Sequence, residues 1–152
     1  WFGGGADLNP MREEPEDTEF FHGVLKAACD RHDPTYYPRY KAWADEYFWN
    51  RHRKEPRGVG GVFCDDHCTG DWEADFAFIQ DLGRAFLDAY LPITRRRTTE
   101  SWTAEDREHQ LFRRGRYAEF NLVYDRGTRF GLETGHNPDA VLMSLPPEAK
   151  WP

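Results

Sequence analysis

Two groups of basic side chains dominate the chemistry open to this chain. Arg51, His52, Arg53, Lys54 and Arg57 crowd together just before the glycine-rich segment Gly58-Val-Gly-Gly61. Farther on, Arg113, Arg114, Arg116, Arg126 and Arg129 surround Glu119 and Asp125. A guanidinium grips a carboxylate through two parallel N–H donors, so it suits planar, acidic ligands. The net charge of the chain is -7, whereas a nucleic-acid surface needs an excess of positive charge. Local arginine clusters in an acidic chain therefore point to a ligand bearing several carboxylates; salt bridges within the protein are the plainer use of the same charges. A third candidate is Asp7, directly after Gly3-Gly-Gly-Ala6. A backbone stripped of side chains lets a flat ligand approach, with Asp7 as acceptor beside it, and a flexible bend is the alternative.

Other constellations carry less. The triple glycine lacks the spacing of a phosphate loop. Cys64-Asp-Asp-His-Cys68 offers metal ligands, yet the pattern is not a zinc spacing and cysteine is commonly buried. His22, His32, His109 and His136 are scattered, and Arg95-Arg-Arg97, after Pro92, reads as a solvated charge run.

With 152 residues and 39% hydrophobic content, one globular domain spanning 1–152 is expected. No apolar run long enough for a membrane span and no secretory leader is present, so a soluble protein is expected. Three cysteines make no disulfide framework and suit a reducing compartment, taken as the cytoplasm. The chain starts Trp1-Phe-Gly without Met and stops at Lys150-Trp-Pro152, which suggests a piece of a longer protein.

The elements that must position these groups follow from periodicity. Residues 1–15 read as a loop around Asp7. Phe20, Phe21, Val24, Leu25, Ala28 and Cys29 form one helical stripe over Asp17–Asp30. A second helix follows Pro34, with Tyr40, Trp43, Tyr47 and Phe48 on one side, and is expected to end near Pro56. Val59–Phe63 reads as a short strand. Asp71 can cap a helix running to Pro92, with Trp72, Phe76, Ile79, Leu82 and Phe86 as its buried face. Thr103-Ala-Glu-Asp106 resembles a capping box for a charged helix to about Arg113. From Tyr117 to Thr134 the alternation predicts a β-hairpin turning at Arg126-Gly127. Val141–Leu145 is strand or helix.

Trp1-Phe-Gly-Gly-Gly-Ala-Asp-Leu8, Tyr40-Lys-Ala-Trp43, His52-Arg-Lys-Glu-Pro-Arg-Gly-Val-Gly-Gly61, Arg113 to Leu132 and Leu142-Met-Ser-Leu-Pro-Pro147 together resemble the oxygen-dependent coproporphyrinogen III oxidase family, from end to end of the chain. The resemblance implies an α+β fold, an antiparallel β-sheet flanked by α-helices on both faces, and a homodimer. It implies an enzyme of haem biosynthesis that turns two propionates of coproporphyrinogen III into vinyl groups, giving protoporphyrinogen IX, with dioxygen as co-substrate and no metal or organic cofactor. Carried over by position, Asp7 meets the pyrrole N–H groups, and His52, Arg53 and Arg57 lie near the reacting substrate. Tyr117, Ala118, Glu119, Phe120, Asn121 and Leu122 match a substrate-contacting and dimer-forming strand, with Asp125 and Arg126 as a charged pair at its turn.

Two departures accompany the resemblance. The family carries a His-x-Asn-x-Arg segment upstream of its Trp-Phe-Gly-Gly-Gly motif, and this chain starts after it. The family's Gly-then-Arg loop reads Gly135-His136-Asn137 here, so His136 would replace a propionate contact with a pH-dependent charge. A non-catalytic tetrapyrrole-binding or dimerising homologue is the alternative.

Overall fold

A computed structural model of the chain describes residues 1–151. The described residues divide into two compact units: residues 1–49 with 58–101, and residues 50–57 with 102–151. The fold is mixed α+β with antiparallel strands and helices, as expected.

In the first unit, β1 (Phe2–Asp7) pairs antiparallel with β4 (Gly61–His67), which sets Gly5 opposite Phe63, Ala6 opposite Val62 and Asp7 opposite Gly61. The expected loop around Asp7 is thus a strand. Glycine has little strand propensity, which hid it, but here the two backbones approach too closely for side chains. A Cβ on Gly61 would lie 1.9 Å from the Ala6 carbonyl oxygen, and one on Gly5 would lie 2.7 Å from the Phe63 ring.

Helices α1 (Pro15–Asp30), α2 (Tyr36–Tyr47) and α3 (Trp72–Arg97) supply the rest of this core. Phe21, Leu25, Ala28 and Cys29 of α1 are buried, as the stripe predicts, against Tyr40 of α2 and Phe78, Leu82, Ala85 and Ala89 of α3, with Val24 half-buried at their edge; Phe20, expected in the same stripe, is exposed. Burying a side chain of the Leu or Phe class stabilises by about 1.5–3 kcal/mol, so these few contacts dominate the unit. Asp71 caps α3 by accepting from the Ala74 N–H at 3.1 Å, as expected.

Three boundaries and faces differ from expectation. Helix α2 stops at Tyr47 instead of near Pro56. The buried face of α3 is Asp75, Phe78, Leu82, Ala85, Ala89 and Ile93, a stripe rotated from the predicted one; Trp72 and Phe76 lie at its rim against the Phe2 ring. Helix α3 also passes through Pro92. That residue is exposed, so the carbonyl it cannot bond faces water, while Ile93 is buried beyond it and Arg96 and Arg97 bond Asp17. Those arginines are consequently not a solvated run.

In the second unit, residues 50–57 make a tight turn between the two-residue strands β2 (Trp49–Asn50) and β3 (Glu55–Pro56). The Asn50 carbonyl accepts from the N–H groups of Arg53 and Lys54, and Lys54 takes a left-handed φ of 57°. Helices α4 (Ala104–Val123), α5 (Arg126–Glu133) and α6 (Pro138–Val141) follow, then a 3-10 turn, Leu142–Ser144.

The predicted hairpin does not exist. Thr103 and Asp106 form the expected capping box, but the helix it opens runs on to Val123, and Asp125 begins another by accepting from Thr128 N–H at 2.7 Å. Two rules competed here. The alternation is real in sequence, yet residues 104–122 contain no β-branched side chain and are rich in Arg, Glu and Ala, which favour helix. Leu111, Gly115 and Ala118 form a buried stripe of helical spacing continued by Asn121, and Leu122, predicted to share a face with Phe120, is 51% exposed while Phe120 is 0%.

Among the described residues, no helix is long and apolar enough to cross a membrane.

Candidate functional site

Asp7 ends β1, and its surroundings in the first unit are built by backbone. Leu8 donates its N–H to the Gly60 carbonyl at 3.0 Å, and Val59 donates to the Leu8 carbonyl at 3.0 Å. The Asn9 amide donates to Asp7 Oδ2 at 2.6 Å, which fixes one carboxylate oxygen. Gly58 lets this happen: a Cβ there would lie 2.3 Å from the Leu8 carbonyl oxygen. The glycines of the 58–61 loop thus admit close backbone contact with the Asp7 segment. Gly4 of β1 has nothing within 4 Å of where a Cβ would stand.

In the second unit, the turn 50–57 and helix α4 bring together most of the basic residues singled out in sequence. Arg53 donates from Nε to Glu119 Oε2 at 2.9 Å and from Nη2 to Oε1 at 2.6 Å. His52 Nε2 stands 2.7 Å from the same Oε2, and Trp151 Nε1 donates to Oε1 at 2.8 Å. Arg116 lies 3.5 Å from Oε1 and 3.0 Å from Glu55. Hydrogen bonds from Arg53 pull the Glu119 carboxyl down to about 2, against the opposing effect of burial and with help from His52 and Trp151. Glu119 is therefore an anion at any ordinary pH. The resemblance implies a substrate contact for this residue; in the structure its carboxylate gathers His52 and Arg53.

Arg57 is held differently. It is buried, its Nη1 donates to Asn121 Oδ1 at 2.9 Å, and its guanidinium carbon lies 4.9 Å from the centres of both the Tyr117 and Phe120 rings. Tyr117, Phe120 and Asn121 stand at i, i+3 and i+4 of α4, the spacing that puts them on one helix face. Tyr124, one turn on, brings its hydroxyl 3.0 Å from His52 Nδ1. A desolvated guanidinium over aromatic faces is rigid and costly to remove.

The remaining sequence candidates have local structural tasks. Asp125 caps α5, with Arg126 the first residue of that helix. Gly135 has φ 76°, and the N–H groups of Gly135 and His136 bond the carbonyls of Leu132 and Gly131, a helix stop that needs a residue tolerant of positive φ. His136 Nδ1 is 2.7 Å from the Thr134 hydroxyl, and Asn137 caps α6. Ala118 is buried in α4 and Leu122 faces away.

Cys64, His67 and Cys68 do not converge. Cys64 Sγ is 3.4 Å from the Gly4 carbonyl oxygen, and His67 is buried between the Tyr40 hydroxyl at 2.6 Å and Asp75 at 3.0 Å. The Asp75 contact is ionic in distance but off-line for a hydrogen bond. Among the described residues, no three His, Cys, Asp or Glu side chains are grouped to hold a metal ion. Sequence reasoning missed Trp151 and Arg116 as partners of Glu119. Helical spacing of Arg116 to Glu119 was the available signal; Trp151 had none.

A family model described as coproporphyrinogen III oxidase matches residues 1–152. The oxygen-dependent coproporphyrinogen-III oxidase of Rickettsia bellii (strain OSU 85-389) is 56% identical over 151 residues, 99% of this chain and 54% of that protein. Those of Rickettsia africae (strain ESF-5) and Rickettsia akari (strain Hartford) are 57% identical with the same coverage. The chain spans about half the length of the curated relatives it matches. A family model that matches the whole chain, with relatives 56–57% identical over nearly all of it, shows that the chain belongs to the coproporphyrinogen III oxidase family.

Proposed function

We propose that the protein containing this chain catalyses the oxygen-dependent oxidative decarboxylation of two propionate groups of coproporphyrinogen III, giving protoporphyrinogen IX. Each round converts one propionate, one dioxygen and one proton into a vinyl group, carbon dioxide and hydrogen peroxide. The observation that carries this reading is the family match over the whole chain. The geometry supplies groups of the right kind, each in its own unit: a carboxylate on a backbone-built ledge, and arginines held in fixed geometry by α4.

Asp7 accepts hydrogen bonds from the pyrrole N–H groups, since a carboxylate oxygen is the natural acceptor for an electron-rich N–H ring and a base for its proton. Arg57, Arg53 and His52 set the propionates, with Tyr117 and Asn121 of α4 holding Arg57 in shape. Truncating one partner of such a desolvated pair costs about 2–5 kcal/mol, much of it because the other is left unpaired. Oxygen adds to the activated pyrrole, the resulting peroxide takes hydrogen from the propionate carbon next to the ring, and the carbon–carboxyl bond breaks to carbon dioxide. The protein contributes positioning and proton control. The reading includes action as a homodimer in the cytoplasm without a metal or organic cofactor.

The test is turnover by the full-length protein: coproporphyrinogen III with oxygen, vinyl product followed by chromatography, hydrogen peroxide measured, and an anaerobic control. Oxygen-dependent vinyl product is expected, with loss of about a hundredfold or more in Asp7→Asn, in the range of a lost general base. Porphyrinogen binding without oxygen consumption would replace the reading by a non-catalytic tetrapyrrole binder.

A further inference from the structure

We propose that His22 is a positioning residue for Asp7, acting through the glycine loop 58–61. The proposal rests on the reading that Asp7 is the group that meets the substrate ring.

His22 projects from α1, half-buried, with Nε2 2.9 Å from the Val59 carbonyl oxygen and Nδ1 3.0 Å from the Tyr37 hydroxyl on α2. A carbonyl can only accept, so the proton sits on Nε2, and Nδ1 is left to accept from the Tyr37 hydroxyl. Both ring nitrogens are thereby assigned, and the imidazole is locked between two helices and a loop. The two rings also meet edge to face, at 82° between planes. Val59 passes the contact on: its N–H donates to Leu8, while Leu8 donates to Gly60. Leu8 adjoins Asp7, so the backbone that carries the carboxylate is bonded on both sides to the loop that His22 holds.

The loop needs such a fastener. Gly58, Gly60 and Gly61 give it more conformational freedom than any other residues would, and Gly60 stands at φ 79°. None of the three has a side chain with which to anchor itself. Glycine is nevertheless demanded at Gly58 and Gly61 by the close approach of Leu8 and Ala6. The segment beside Asp7 therefore takes its rigidity from outside, and His22 reaches its backbone at the Val59 carbonyl. A positioning role of this kind matters because a displacement of about 1 Å at a reacting group can cost on the order of a hundredfold in rate.

The experiment uses the full-length protein with His22→Gln, His22→Asn and His22→Leu. A glutamine amide nitrogen reaches the place of Nε2 and can donate to Val59; an asparagine nitrogen reaches only the place of Nδ1. Amide exchange at Leu8 and Val59 is measured together with kcat and KM for coproporphyrinogen III. His22→Gln is expected to keep exchange and kcat near the parent. His22→Asn and His22→Leu are expected to speed exchange at both amides, and to lower kcat, by about tenfold each, the worth of one hydrogen bond, with KM moving less. Unchanged exchange and kcat in His22→Leu would overturn the proposal, as would a His22→Gln as impaired as the leucine variant. If the leucine variant does not fold, the contrast between glutamine and asparagine decides. Asp7→Asn is assayed in parallel: full activity there strikes at the role of Asp7, whereas an inactive Asp7→Asn beside a fully active His22→Leu strikes at His22 alone.

Discussion

Arg53 holds Glu119 in a two-pronged grip, Nε to Oε2 at 2.9 Å and Nη2 to Oε1 at 2.6 Å. The arginine that sequence assigns to a substrate carboxylate is therefore already paired with one of the protein's own. The pairing is a source of order: it sets the guanidinium plane before any ligand arrives, and it leaves Glu119 ionised beside His52. Titration of the Glu119 side-chain carboxyl by NMR should give a midpoint near 2. Because that value is depressed below the ordinary 4.5, the stabilisation is fully present above about 4.5 and is lost as pH falls toward 2. Arg53→Ala removes the largest cause of the shift, so the midpoint should rise toward the ordinary value and the acid-unfolding transition should move to higher pH.

Arg57 should prove the less replaceable arginine. It is buried, it bonds Asn121, and it lies over two rings. Lysine keeps the charge but has neither the planar fork nor the stacking surface. Arg57→Lys in the full-length protein is expected to cost about 1–3 kcal/mol in urea unfolding and to raise KM about tenfold, the same size of effect expressed in binding. A KM within twofold of the parent would remove Arg57 from the substrate's carboxylates.

Asp17 carries a prediction about the frame of the first unit. Burial alone would push its carboxyl up, but hydrogen bonds from Arg97 and Arg96 outweigh burial and hold it below the ordinary 3.8. These contacts fasten the start of α1 to the end of α3, on the far side of Pro92. Asp17→Asn should cost about 1–3 kcal/mol at neutral pH. A depressed folded value means that this contribution is present above the ordinary carboxylate range and disappears below it. The stability gap between parent and variant in urea titrations should therefore begin to shrink near 3.8 and close below it. A gap that stays constant would show that packing, and not charge, holds the two helix ends.

What was legible in the sequence follows from which signals are local. The stripes of α1 and the caps at Asp71 and Thr103 are written in neighbouring residues, and they stand where expected. The motif residues at 52–57 and 117–121 were also found, and the second unit does bring them together. The failures have distinct causes. Strand β1 is glycine-rich, so its pairing is specified by the partner strand and not by its own propensity. The false hairpin came from trusting alternation where composition favoured helix, and where Asp125 was a cap and not a turn residue. The Glu119 cluster depends on Trp151, more than thirty positions away, and the Asp17 pairs reach about eighty positions along the chain. No pattern in a short window encodes such contacts.

The glycines of the β1–β4 ladder separate structural need from ligand need. A methyl at Gly61 would stand 1.9 Å from the Ala6 carbonyl oxygen and 2.8 Å from the Asp7 Cα, both backbone atoms that can yield only if the strands part. Gly61→Ala is therefore expected to destabilise by about 3 kcal/mol or more, near the upper end for single substitutions. Gly4 meets nothing within 4 Å, so Gly4→Ala should leave thermal unfolding within about 0.5 kcal/mol of the parent, or improve it slightly by restricting the unfolded chain. Activity then discriminates. If bare backbone at Gly4 serves only the fold, Gly4→Ala retains full turnover of coproporphyrinogen III. If a flat ring lies on this strand, the added methyl stands between ring and backbone, and KM rises at unchanged stability. Gly4 and Asp7 stand three residues apart and therefore face opposite sides of β1, so full turnover at unchanged KM is the expected result, and a rise in KM without a shift in unfolding temperature would put the ring on the Gly4 face.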